Sequence, residues 1–171
     1  RSLTSFIVWL PWAVPGLVLG VVILDLTLNV PPLSVFYGTM APVVLALLIK
    51  EMPIGVQLLR SAVEQTPQNL EEAASVSGSS RGRTFQMITL PLIAPALAAV
   101  FLFIFAAAVR DISTIVLIAP PDMQTLSLLM FSYANIGDFE AAAVIGTMVA
   151  VISLALAIAA RILSKRTGVV R

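Results

Sequence analysis

The chain contains no cysteine and no histidine, and only 11% of its 171 residues are charged. Without thiols there is no disulfide, no thiolate nucleophile and no thiolate metal site. Without imidazole, the side chain that titrates nearest neutral pH is missing, and so are imidazole metal ligands. Recognition or chemistry must therefore rest on carboxylates, hydroxyls, basic side chains and backbone, and no metal site is expected. The charge is sparse for a soluble domain, which carries about a quarter charged residues. The net charge of +1 offers no broad basic surface, and the basic residues stand in short groups beside apolar runs, so nucleic acid is not an expected partner. A Gly-x-x-x-x-Gly-Lys-Ser/Thr stretch is also lacking, so the chain should not bind ATP in a phosphate loop of its own. No internal repeat, low-complexity tract or flexible linker divides it.

What is present is apolar surface. Hydrophobic residues make up 59% of the chain, and a mean hydropathy of +1.03 assigns it to the membrane class. A bilayer core about 30 Å thick takes roughly 20 apolar residues in a helix. Four stretches meet that length: 6–28, interrupted by Pro11, Pro15 and Gly16; 34–59, which carries Lys50, Glu51 and Pro53; 90–109; and 141–160. The expected fold class is an all-α, polytopic membrane helix bundle forming one domain over 1–171. Ile112 to Ala119 and Thr125 to Tyr133 are apolar but too short to cross, and read as re-entrant or interfacial pieces. Gly137 and Asp138 supply a turn and an N-cap for the last helix.

Basic residues near span ends favour the cytoplasmic side. Arg60, Arg81 and Arg83 mark the 60–89 connection, and Arg161, Lys165, Arg166 and Arg171 mark the C-terminal end. Both regions, and both termini, are expected to be cytoplasmic. A chain that opens on Arg1 reads as the C-terminal portion of a longer protein, with further helices before it and no signal peptide.

The connection over 60–89 is the one long polar stretch. Asn69 can cap a short helix with Glu72 at its third position, and Gly78 stands where such a helix needs a left-handed residue to end. Leu70, Ala73, Ala74 and Ser77 share one narrow face that another surface could approach closely. By capping and composition alone, this is a short surface helix between two spans.

The longer spacing adds to that reading. Glu72, Ala73 and Ala74 are followed after three residues by Gly78, then after nine by Ile88, and then by Leu90 and Pro91. The pattern resembles the EAA signature in the cytoplasmic loop of permease subunits of binding-protein-dependent ABC importers. Three further stretches are similar to the same family: PWAVPGLVLG from Pro11 to Gly20, the segment from Arg110 to Ile118 with Thr125 to Tyr133, and Gly137 to Ser153. Within the family the chain looks most like the ferric-iron-importer branch, although polyamine, thiamine, phosphonate and inorganic-anion permeases share much of the pattern.

The resemblance implies a non-catalytic subunit of a bacterial inner membrane. Its Leu70 to Gly78 helix would couple to a separate ABC ATPase, which uses ATP and Mg, while this chain binds no cofactor. It also implies a second permease half, identical or homologous, an extracytoplasmic substrate-binding protein, and lipid around the spans. Ser75 and Ser77 depart from the basic residue and leucine frequent in the iron branch.

Arg110, Asp111, Ser113 and Thr114 form a second polar cluster, expected at the outer end of a charge-free span. They read either as part of a translocation path or as an interfacial Arg110 and Asp111 pair. Lys50 and Glu51 read as a structural pair near the inner surface, and Asp25 as solvated. The alternative class is a gradient-driven secondary transporter fragment, for which carboxylates inside the spans would be expected, and 90–109 and 141–160 lack them. An intramembrane enzyme would need a carboxylate dyad or a Ser-Lys pair that no span supplies.

Overall fold

Pro15 sets the first boundary. It holds an extended backbone at φ −55°, ψ 136°, and a proline turns the residue before it away from helix. The expected 6–28 run is thus divided, with helix at 9–13 and then α1, Gly16–Asn29. The computed structural model describes residues 9–65, 72–74 and 76–166, the last three by backbone alone, and among these every regular element is helical. At 14 residues, α1 reaches about 21 Å at 1.5 Å per residue, short of a bilayer core.

A single turn, Pro31–Ser34, follows α1. Gly38 then takes φ +74°, and α2 runs over Ala41–Glu64 with Pro53 inside it. The expected 34–59 run therefore begins later and ends later than its hydropathy suggests. At the start, a left-handed glycine breaks an apolar stretch. At the end, polar residues continue the helix through local bonds: Arg60 Nε donates to Glu64 Oε1 at 2.8 Å, and Ser61 Oγ to the Gln57 carbonyl at 3.1 Å.

α3 spans Arg81–Val109. Its second turn, Phe85–Thr89, is a π-helix in which the Leu90 N–H reaches the Phe85 carbonyl. Pro91 follows directly, and a proline ring crowds the carbonyl four residues before it. The widened turn gives that ring room while keeping the helix continuous. The expected 90–109 span thus has two further helical turns before it, which shortens the connection after α2.

Asp111 and the turns over 113–119 lead to α4, Leu126–Asn135, and then α5, Phe139–Arg166. Gly137 at φ +85° makes the turn between them. Asp138 Oδ1 accepts the Ala141 N–H at 3.0 Å, which is the N-cap expected for the last helix. By length and composition, α2, α3 and Phe139–Leu163 of α5 can cross a membrane.

The described residues fall into two compact units, one within Arg1–Pro53 and Phe105–Leu154, the other within Ile54–Ile104 and Ala155–Arg171. In the first, Leu19 and Ile23 of α1, Val43 and Ala46 of α2, and Ile115 and Ile118 form the buried cluster. Close approach there depends on glycine. A Cβ at Gly20 would stand 2.5 Å from the Thr114 carbonyl oxygen, and one at Gly16 would stand 2.6 Å from Thr114 Oγ1. In the second unit the buried residues are mostly small, including Ala62, Ala74, Ala96 and Ala99. A Cβ at Gly55 would meet Ile104 Cδ1 at 2.8 Å. Small residues of this kind let membrane helices pack backbone to backbone.

Candidate functional site

Asp111 follows the C-terminal end of α3 and is almost fully buried, its side chain 4% exposed. Both oxygens of its carboxylate are used. Oδ1 accepts the Thr114 N–H at 2.8 Å, which caps the turns over 113–119. Oδ2 accepts the Thr114 hydroxyl at 3.0 Å and is ion-paired with Lys50 Nζ, which also donates to Thr114 Oγ1 at 3.1 Å. The Asp111 carbonyl accepts Ser127 Oγ at 2.8 Å, and Ser127 Oγ lies 3.0 Å from Thr125 Oγ1. Thr125 in turn caps α4 by accepting the Leu128 N–H. Asp111 therefore ties together α2, the turns after α3 and the start of α4.

Two expectations are corrected here. Lys50 and Glu51 do not pair with each other, nor do Arg110 and Asp111. Lys50 and Glu51 are neighbours on α2, where successive side chains point about 100° apart, whereas Asp111 lies beyond the end of α3 and its carboxylate is taken up by Lys50 and Thr114. Lys50 instead meets Asp111, so charges expected at opposite membrane surfaces sit together. Lys50 is the tenth of the 24 residues of α2, a helix long and apolar enough to cross a membrane. Sequence reasoning missed Ser127 and Lys50 as members of this cluster. The only available signal was a lysine inside an apolar run, which by itself calls for a buried partner.

Lys50, Glu51, Ala107, Arg110, Asp111, Ile112 and Ser113 line an open polar cavity of about 370 Å³. Of the path residues the sequence singles out, Arg110, Asp111 and Ser113 line it, whereas Thr114 is fully buried behind Asp111. Asp25, read as solvated, is exposed and accepts Asn29 Nδ2 at 2.6 Å. Among the described residues no group of three or more His, Cys, Asp or Glu is placed to hold a metal ion.

The second candidate site lies between α2 and α3. Leu70, with Asn69 and Glu71, lies outside the described residues, as does Ser75. Helix is present at 72–74 and at Val76. Gly78 takes φ +77°, and the Ser79 N–H bonds the Ala74 carbonyl at 3.0 Å. That bond, with a left-handed glycine before it, is the helix-ending arrangement the sequence predicts. Ser77 donates its hydroxyl to the Ala73 carbonyl at 2.9 Å.

The shared face does not survive intact, because Ala74 is buried within the chain while Glu72, Ala73 and Ser77 are exposed. Val76, which the sequence passes over, is 88% exposed. A valine so placed on a polar loop is a feature that only the three-dimensional arrangement reveals. Further along the motif, Ile88 lies in the π-turn and is half-buried, while Leu90 and Pro91 are exposed at the start of the apolar part of α3.

Residues 1–169 match the family described as binding-protein-dependent transport system inner membrane component. The chain belongs to that family and is a membrane protein. Among its relatives is the ferric transport system permease protein FbpB of Actinobacillus pleuropneumoniae, 28% identical over 91% of this chain and 22% of that protein. The trehalose/maltose transport system permease protein MalF of Thermococcus litoralis is 33% identical over 80% of this chain and 45% of that protein. The probable sulfate transport system permease protein cysT of Prototheca wickerhamii is 29% identical over 85% of this chain and 60% of that protein. The chain thus spans less than two thirds of the length of each.

Proposed function

We propose that this chain is the pathway-forming part of a permease subunit in an ATP-driven importer, and that Glu72 to Gly78 is its coupling segment. ATP hydrolysis, with its Mg, belongs to a separate ATPase. A second permease half and an extracytoplasmic binding protein complete the assembly in a bacterial inner membrane. The 72–78 segment and both termini of this chain face the cytoplasm, in keeping with Arg60, Arg81, Arg83 and Arg161. Arg110, Asp111 and Ser113, with Lys50 and Glu51, border the solute path. Thr114 supports Asp111 from behind. Relatives named for ferric, sugar and sulfate transport all match the chain, so ferric iron is one cargo among several that the likeness accommodates.

The observation that carries the coupling assignment is the helix end at Gly78. Its left-handed backbone closes a short helix with Ala73, Val76 and Ser77 outward, within the loop that carries the EAA spacing. A small residue beside an exposed valine gives a partner's groove a knob and room to approach it. A side chain with a Cβ at Gly78 is strained by about 1 kcal/mol or more, enough to fray that helix end while leaving the membrane helices in place. Gly78→Val and Ala73→Trp should each abolish ATP-dependent uptake and weaken co-purification of the ATPase at near-normal membrane levels. Wild-type uptake and ATPase recovery in both would refute the assignment.

A further inference from the structure

Of the two charged groups in the polar cavity that the interactions described above leave unused, Glu51 and Arg110, Glu51 is the buried one. It is 7% exposed, yet it makes no hydrogen bond or ion pair among the described residues, while Lys50 beside it is committed to Asp111 and Thr114. Its place on the cavity wall is shared with Ser113 and Arg110. Four charged groups therefore face the cavity, and they are unequal. Lys50 and Asp111 neutralise each other at contact. Arg110 is exposed and forms no ion pair among the described residues, so solvent screens it. Glu51 is 7% exposed, so its field is screened less than that of Arg110. A carboxylate with no hydrogen bond or ion pair among the described residues, standing on the wall of an open polar cavity, is left free to meet a charge that enters that cavity.

We propose that Glu51 makes this cavity selective for positive charge, so that the solute, or the part of it that passes here, is cationic. The inference rests on reading the cavity as part of the solute path, and it names the chemistry that path accepts. The cation is attracted and released rather than chelated, because no cluster of three or more metal-ligating side chains is present among the described residues. A passing solute needs binding weak enough to leave. An ammonium, a guanidinium or a hydrated metal ion would satisfy the same carboxylate.

The test needs no knowledge of the cargo. Ser113→Cys is placed in the full-length protein, assembled with its ATPase and otherwise free of cysteine. Its modification rates with a cationic and an anionic methanethiosulfonate reagent are each normalised to those of a free thiol in solution. With Glu51 intact, the cationic reagent should be favoured by about tenfold or more, the size expected for one poorly screened charge lining the same cavity. Glu51→Gln should remove that preference and Glu51→Asp should retain most of it. A preference that is absent, or unchanged in Glu51→Gln, would overturn the cation inference while leaving the pathway reading standing. A thiol at 113 that reacts with neither reagent from either side would overturn both, because the cavity would then not be reached by water.

Discussion

At the residue scale, the pair of Lys50 and Asp111 decides how the first unit holds together. The two partners are unequally buried, with side-chain exposures of 25% and 4%. Removing the lysine strands a buried carboxylate, whereas removing the carboxylate's charge leaves an ammonium that still reaches the cavity. Breaking a buried pair from one side typically costs about 3–5 kcal/mol, and the exposure of Lys50 lowers that figure for the loss of Asp111. Lys50→Met should therefore destabilise the purified protein by about 3 kcal/mol and Asp111→Asn by less. The double variant should be more stable than Lys50→Met alone, since neither charge then lacks a partner. Denaturant melts in detergent measure all three. Losses that simply add would contradict the pairing. Because Asp111 also caps the 113–119 turns, Asp111→Asn should reduce membrane abundance as well as uptake, a consequence invisible when the residue is read only as part of a path.

At the element scale, glycine sets how closely α1 can lie against the turns after α3. The Gly20 Cβ position is 2.5 Å from a backbone oxygen, an atom that cannot rotate away as a side chain would. Gly20→Ala should thus cost about 1–3 kcal/mol, the range for overpacking, whereas Gly82→Ala, with nothing within 4 Å of its Cβ, should cost little. Comparative thermal melts check the contrast, and equal shifts would contradict the packing described.

Much of this element level was legible in the sequence. The apolar lengths give α2, α3 and α5, Gly78 gives a helix end, and Asp138 gives a cap, because each rests on local chemistry. What escaped was of two kinds. Helix ends that continue in polar residues, such as Arg60 to Glu64 and Arg81 to Thr84, carry no hydropathy signal, so the 60–89 connection looked longer than it is. Contacts between distant residues, such as Lys50 with Asp111 or Ser127 with the Asp111 carbonyl, follow from how helices pack, and spacing along the chain does not report that. The burial of Ala74 and the exposure of Val76 belong to the same class. A helical wheel orders residues around an axis without saying which side meets the rest of the chain.

At the scale of the whole molecule, apolar side chains remain uncovered along the spans. Phe101, Val144, Val151 and Leu154 are exposed, and 11% of the apolar window of α5 is buried. Lipid, further helices of a longer chain and a second permease half are the surfaces that suit such faces. The chain's share of its relatives' lengths agrees with that need. Polar exposure lies elsewhere, including the segment around Glu72 to Arg83, where an exposed valine stands outside any span. The most direct measurement of the central claim is photocrosslinking from that valine in the assembled importer. A photoreactive amino acid at Val76 should give a crosslink to the ATPase subunit in high yield, and the same group at Met148, exposed on the apolar part of α5, should give none. Absence of the ATPase adduct at 76, or equal yields from 76 and 148, would contradict the proposal that this chain is driven through its 72–78 segment.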